Sequence, residues 1–208
     1  MAYSFQDYLE RSIGLVKDDG PRLDPVKDPP VALGRAARWI SNYAARLAIV
    51  DLTSDGSGDF PIAGDSGLAD WSVGFSEIDG VEYPIAAAGT RRAFLSEEAF
   101  EIVDLPGGAV IRVYAYIPAG DKLRITHTAL HLLTAAQVTV PDSCFEATCE
   151  YAAAGFFDIL AAKATPTTER APQIGDLGGF RDLSDKFATR AKQHRDEAER
   201  LLTGFVFV

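Results

Sequence analysis

His127 and His131 are four residues apart, a spacing that can hold a metal ion when both lie on one helix face. The local pattern argues against that use. It reads as a strand turning toward Leu132 and Leu133, with no glutamate between the histidines and no third ligand nearby. Ordinary sheet or rim histidines are the expectation. Asp51, Asp55, Asp59 and Asp65 place carboxylates in and around the glycine-rich stretch DLTSDGSGD, where calcium coordination is the chemical alternative. The spacing does not match the helix–loop–helix calcium site, and its closing glutamate is missing. A solvated hairpin turn is therefore expected. Cys144 and Cys149 fall on different sides of an expected helix, too far apart to bridge, and read as reduced packing residues.

Other reactive patterns are weaker. The serines sit in no strand-to-helix nucleophile turn. Gly107 and Gly108 follow a proline inside a hairpin, which is not the setting of a phosphate loop. Arg91-Arg92 is a basic pair suited to a surface or subunit contact, and Glu97, Glu98 and Glu101 read as a solvated edge. No nucleophile and base are paired, so no catalytic, cofactor-binding or metal-ligating residue is assigned. The chain is expected not to be an enzyme and to need no cofactor.

The elements that carry these residues follow from the change in hydrophobic period. Ser4 can cap a first helix whose stripe is Phe5, Tyr8, Leu9, Ile13 and Val16. Four prolines between Pro21 and Pro30 suggest an extended connector. A second, alanine-rich helix is expected from about Val31 to Leu47. The period then shortens to two. Strands are expected at Leu47–Leu52, Phe60–Ile62, Ser76–Ile85, Phe100–Leu105, Ala109–Ile117 and Lys122–Thr128. The last three are expected in meander order, with Pro106-Gly107-Gly108 as the hairpin turn between the first two. A long apolar helix should run from about Pro141 to Lys163, capped by Thr139 with Asp142 completing the capping box. A charged helix should run from Phe180 to about Leu202, followed by Gly204 and an apolar tail.

The fold class is thus α+β. Two N-terminal and two long C-terminal helices form a scaffold (residues 1–46 and 135–208), and a mainly antiparallel β-module (47–134) is inserted between them. With 47% hydrophobic residues among 208, the chain can bury a real core. Thirty acidic against twenty basic residues give a formal charge of −10. Such a chain is a poor general binder of nucleic acid and is repelled by anionic membrane surfaces. No apolar stretch approaches a membrane span, and the N-terminal sequence lacks a signal peptide's apolar block, so synthesis and assembly in the cytoplasm are expected.

Contact surfaces are the remaining candidates. Phe145, Tyr151, Phe156 and Phe157 make one helix apolar on most sides, as expected where it is buried by the rest of the subunit or by a neighbouring copy; packing between copies is the role expected of these four. Trp71, Phe75, Tyr114 and Tyr116 are aromatic residues of the β-module, suited either to an interface or to the module's own small core. Phe205, Val206, Phe207 and Val208 form an apolar end suited to strand addition or groove insertion on a partner, or to folding back on its own subunit.

The order of these segments resembles a known family. An alanine-rich helix runs into AIVDLTSDGSGDFPI. WSVGFSEIDGVEYPI follows, then a Gly-Gly hairpin, LRITHTALHLL, VPDSCFEATCEYAAAGFFDILAAK and a charged helix. This order resembles the head–tail connector proteins of tailed bacteriophages, also called adaptor or head-completion proteins. Trp71, Gly74, Phe75 and Ser76, with Val81, Glu82, Tyr83 and Pro84, carry most of the resemblance. It implies a structural virion protein at the head–tail interface, forming a homo-oligomeric ring, dodecameric in the family, beneath the portal protein. It further implies contact with tail or stopper proteins and passage of packaged DNA through the channel without specific binding. The family supplies no catalytic residues. Another phage tail-completion ring, or a small-molecule-binding domain using the β-module, are the alternatives.

Overall fold

The computed structural model describes residues 2–17, 22–64, 67–87, 90–165 and 177–203, with the backbone alone for 177–181. The chain forms an α+β fold and divides into two compact units. Residues 1–44 and 131–208 make one, and residues 45–130 make the other.

The first unit is helical. Helix α1 spans Phe5–Val16. Ser4 Oγ accepts the Asp7 N–H at 3.3 Å, and the Asp7 carboxylate accepts the Ser4 N–H at 2.7 Å, so both halves of a capping box are closed. The Ser4 hydroxyl also donates to the Asp7 carboxylate at 2.7 Å, and this bond, with that from the Ser4 N–H, holds the Asp7 carboxyl below the usual carboxylate range. Helix α2 spans Asp28–Ser41, earlier than the sequence pattern suggests at both ends. Proline is well suited to a first helical turn, so Pro29 and Pro30 start this helix rather than precede it. The Asp28 carboxylate accepts Lys163 Nζ at 2.6 Å and the Asp24 N–H at 2.6 Å, which anchors that turn. At the other end, Ser41 Oγ donates back to the Ala37 carbonyl and accepts the His131 N–H at 2.8 Å.

Helix α3 spans Phe145–Ala164, and helix α4 spans Leu177–Thr203. Thr139 does not cap α3. Its hydroxyl accepts the Leu132 N–H at 2.8 Å and meets His131 Nδ1 at 3.2 Å, bracing the preceding loop. A 3-10 turn, Asp142–Cys144, leads into the helix instead. Helix α3 is apolar all round because α1, α2 and α4 each pack against it. One cluster joins Tyr8, Leu33, Ile40, Phe145, Cys149 and Ala152, and a second joins Val16, Phe156, Phe157, Leu160, Phe187 and Ala191. Burying each large side chain contributes about 1.5–3 kcal/mol relative to exposure.

Among the described residues the second unit holds six strands: β1 Arg46–Thr53, β2 Asp59–Pro61, β3 Ile78–Glu82, β4 Phe100–Leu105, β5 Gly108–Val113 and β6 Lys122–Ala129. They form two antiparallel three-stranded sheets, ordered β1-β6-β3 and β2-β5-β4. β4 and β5 make the expected hairpin. The meander stops there, because β6 leaves β5 and enters the other sheet between β1 and β3. Alternation along β6 puts Leu123, Ile125 and His127 on its buried face, and all three are fully buried. Each sheet also contains a bidentate ion pair between directly opposed residues. Arg124 meets Asp51 at 2.7 and 3.0 Å, and Arg112 meets Asp59 at 2.8 Å through both nitrogens. A slip of one residue would separate either pair, so they reinforce the register.

The TSDGSGD segment is a crossing between sheets rather than a hairpin turn, since β1 and β2 pair with different strands. Gly58 adopts φ +84° in it, and an added Cβ would lie 3.0 Å from the Val113 carbonyl oxygen. That backbone and that approach require glycine. The core shared by the two sheets includes Leu52, Phe60, Val81, Ile111, Leu123 and Ile125.

Candidate functional site

Asp65 lies outside the described residues, and the other candidate reactive side chains are engaged within the fold. His127 Nε2 meets the Ala69 carbonyl at 3.0 Å, and burial pushes the imidazole below its ordinary value, so the ring is neutral and Nε2 donates. His131 belongs to the helical unit, where Nε2 meets the Ala44 carbonyl at 2.5 Å. Asp51 and Asp59 are held below the usual carboxylate range by the guanidinium groups of Arg124 and Arg112. Asp55 accepts the Ser57 N–H within its own turn. Cys144 and Cys149 are free and buried, and burial pushes the Cys149 thiol up to about 12, which suppresses its thiolate. Among the described residues no three His, Cys, Asp or Glu side chains gather as a metal-binding group. None of their helices is long and apolar enough to cross a membrane.

Burial corrects three of the contact residues expected on α3, Phe145, Phe156 and Phe157. Phe156 and Phe157 are 0% and 1% exposed inside their own subunit, and Phe145 is also buried. Tyr3 stacks on Phe145 at 3.7 Å, and Phe187 lies 6.2 Å from Phe157. These three side chains are thus covered by other parts of the same chain. Tyr151 is half-buried and stacks on Trp39 at 4.3 Å.

In the β-module the four aromatic candidates separate. Trp71 is half-buried against the module core, 5.6 Å from the His127 ring, and Phe75 is half-buried. Tyr114 and Tyr116 are 60% and 82% exposed. They lie just beyond β5, which ends at Val113 rather than Ile117. Tyr114 donates its hydroxyl hydrogen to the Glu101 carboxylate, which raises the phenol pKa. Leu47 and Ile49 are exposed on alternate positions of β1, and Phe94 is exposed beside Gly80 of β3. The apolar end, Phe205 to Val208, lies outside the described residues.

A second surface was not anticipated from the sequence. In the helical unit, a groove of about 740 Å³ runs between the end of α1, the connector and α4. Buried Phe157 and Phe187 form its floor, and Lys17, Arg22, Lys186 and Arg190 stand around it. The Arg22 guanidinium carbon lies 5.9 Å from the Phe187 ring centre, and that of Arg190 lies 5.7 Å from the Phe157 ring centre. Asp185 is the one carboxylate in the lining. Arg46, Arg112, Arg124 and Arg195 elsewhere each have a carboxylate partner, whereas these four cations have none among the described residues. The sequence signal was the i, i+4 pair Lys186 and Arg190 beside Phe187, but Lys17 and Arg22 join it only in three dimensions.

No protein-family model matches the chain, and no curated protein matches it at a significant level.

Proposed function

We propose that the chain is a non-catalytic structural subunit that acts by contact with other proteins: a ring-forming head–tail connector of a tailed phage virion. The observation that carries this reading is the exposed aromatic and aliphatic surface of the β-module. Tyr114, Tyr116, Phe94, Leu47 and Ile49 are each more than half exposed. Exposed large apolar side chains of this kind favour a protein interface. The resemblance of the segment order to the connector family supplies the identity of the partners, namely portal, tail or stopper proteins and further copies of the chain. The chain's negative charge suits a channel wall past which a duplex slides without being held.

The test is a mass measurement of the purified protein, alone and after mixing with the portal of the same phage. A ring-sized assembly on the portal is expected. A chain that stays monomeric at every concentration and ignores the portal overturns the reading. Removal of residues 204–208 then asks whether the apolar end is the anchor. The expected product is folded and no longer joins the portal, and unchanged attachment would assign anchoring to another surface.

A further inference from the structure

We propose that the cationic groove of the helical unit receives the acidic segment Ser96–Glu101 of a second copy of this chain. The proposal rests on the self-assembly reading above and adds to it the contacting residues.

The groove is a local excess of positive charge on a molecule with a formal charge of −10. Lys17, Arg22, Lys186 and Arg190 face one carboxylate, Asp185. Their side chains are exposed and have no carboxylate ion-pair partner among the described residues. The two arginines rest on buried phenyl rings, which orient the guanidinium groups without using their hydrogen bonds. A carboxylate-bearing peptide matches this arrangement, because guanidinium groups offer paired N–H donors to carboxylates.

The chain itself presents such a segment. Ser96 precedes a single 3-10 turn, Glu97–Ala99, and Glu97 and Glu98 are exposed with no cation partner among the described residues. Glu101 adds a third carboxylate and holds the Tyr114 hydroxyl. Phe94 and Ile102 flank the segment and are 56% and 47% exposed. They are suited to the half-buried Leu183 in the groove lining. The two surfaces lie on different parts of the chain, so the contact is head-to-tail. A contact of that type closes into a ring when its rotation permits.

Carbodiimide coupling joins a lysine directly to a carboxylate and reads the contact without a spacer. Full-length protein carrying heavy and light nitrogen in equal mixture is coupled and digested. The expected product links Lys186 or Lys17 to Glu97 or Glu98 with mixed isotopes, which marks it as intermolecular. In parallel, the double variant Lys186→Glu/Arg190→Glu should weaken self-association at least tenfold while retaining the wild-type circular dichroism. Mixing it with Glu97→Lys/Glu98→Lys should restore association. If wild-type protein assembles normally and neither reversal changes its affinity, the groove proposal fails while the ring reading stands. If wild-type protein never self-associates, alone or on the portal, both fail. A groove filled by the adjacent acids Asp18 and Asp19, shown by coupling within one copy and no mixed-isotope product, also overturns the proposal. So does a groove that captures only the acidic surface of a different protein.

Discussion

An added Cβ on Gly155 would lie 3.3 Å from both the Cα and the Cβ of Ala32. Helices α2 and α3 therefore meet at a point where neither carries a side chain larger than methyl, and this closeness sets how the helical unit packs. Substitution at Gly155 should be graded by size. Gly155→Ala gains helix propensity against a tight contact and should change stability by less than about 1 kcal/mol. Gly155→Val should cost about 1–3 kcal/mol through overpacking. Urea unfolding would check this, and equal stability of the two variants would show that α2 and α3 part freely.

Glu82 is almost fully buried, and one carboxylate oxygen accepts the Ala86 N–H at 2.8 Å. The other oxygen lies 3.9 Å from Arg92 Nε and 4.0 Å from an Arg124 nitrogen. Glu82→Ala leaves the Ala86 N–H without this acceptor and should cost about 1–3 kcal/mol. Hydrogen exchange at Ala86 should accelerate. Arg92→Ala, at an exposed and longer contact, should change stability by less than about 1 kcal/mol. An unchanged Ala86 exchange rate in Glu82→Ala would remove the carboxylate from this role.

The buried imidazole of His127 links stability to pH. Its folded-state pKa lies below the ordinary 6.5, with burial as the main cause. The unfolded chain therefore binds this proton first as pH falls. The stability that depends on neutral His127 is fully present above pH 6.5 and declines as pH drops below that value. The slope cannot exceed about 1.4 kcal/mol per pH unit for one proton. His127→Gln keeps a donor for the Ala69 carbonyl and should flatten the profile just below pH 6.5, as read by denaturant midpoints. The same slope in the variant would assign the dependence to another group.

Phe157→Asp and Tyr116→Ser should fail at different stages. The first places a charge among fully buried side chains and should cost several kcal/mol, enough to prevent folding. The second removes an exposed ring and should change stability by about 0.5 kcal/mol or less while weakening partner binding. Circular dichroism and portal binding measured together separate the two effects. A well-folded Phe157→Asp protein would contradict the packing of α3.

Legibility in the sequence follows the range of the interaction. Ser4 with Asp7, and Pro106 with Gly107, are local devices whose chemistry is complete within a few residues, and both elements stand where that chemistry puts them. Alternation in β6 says which side chains are buried but not which strands lie beside it, because Thr126 opposite Ile49 is a pairing across most of the module. The apolar surround of α3 likewise reveals burial without naming what covers it. That cover is α1, α2 and α4 of the same chain, which is why Phe156 and Phe157 are core residues rather than contacts. The groove needed Lys17 and Arg22 beside Lys186 and Arg190, and no sequence window contains all four.

Arg46 at the start of β1 stands directly opposite Ala129 at the end of β6, so the β-unit's two chain ends emerge side by side. In the helical unit, the Ala44 carbonyl and His131 Nε2 are 2.5 Å apart, so the ends to which the β-unit is spliced are also neighbours. Each unit therefore brings its own two splice ends together. A short glycine linker from Ala44 to His131 should leave a self-standing helical protein, and residues 45–130 can be lifted out as a cassette. Exchange of that cassette between otherwise similar scaffolds would alter what is contacted without redesigning the helices that carry it.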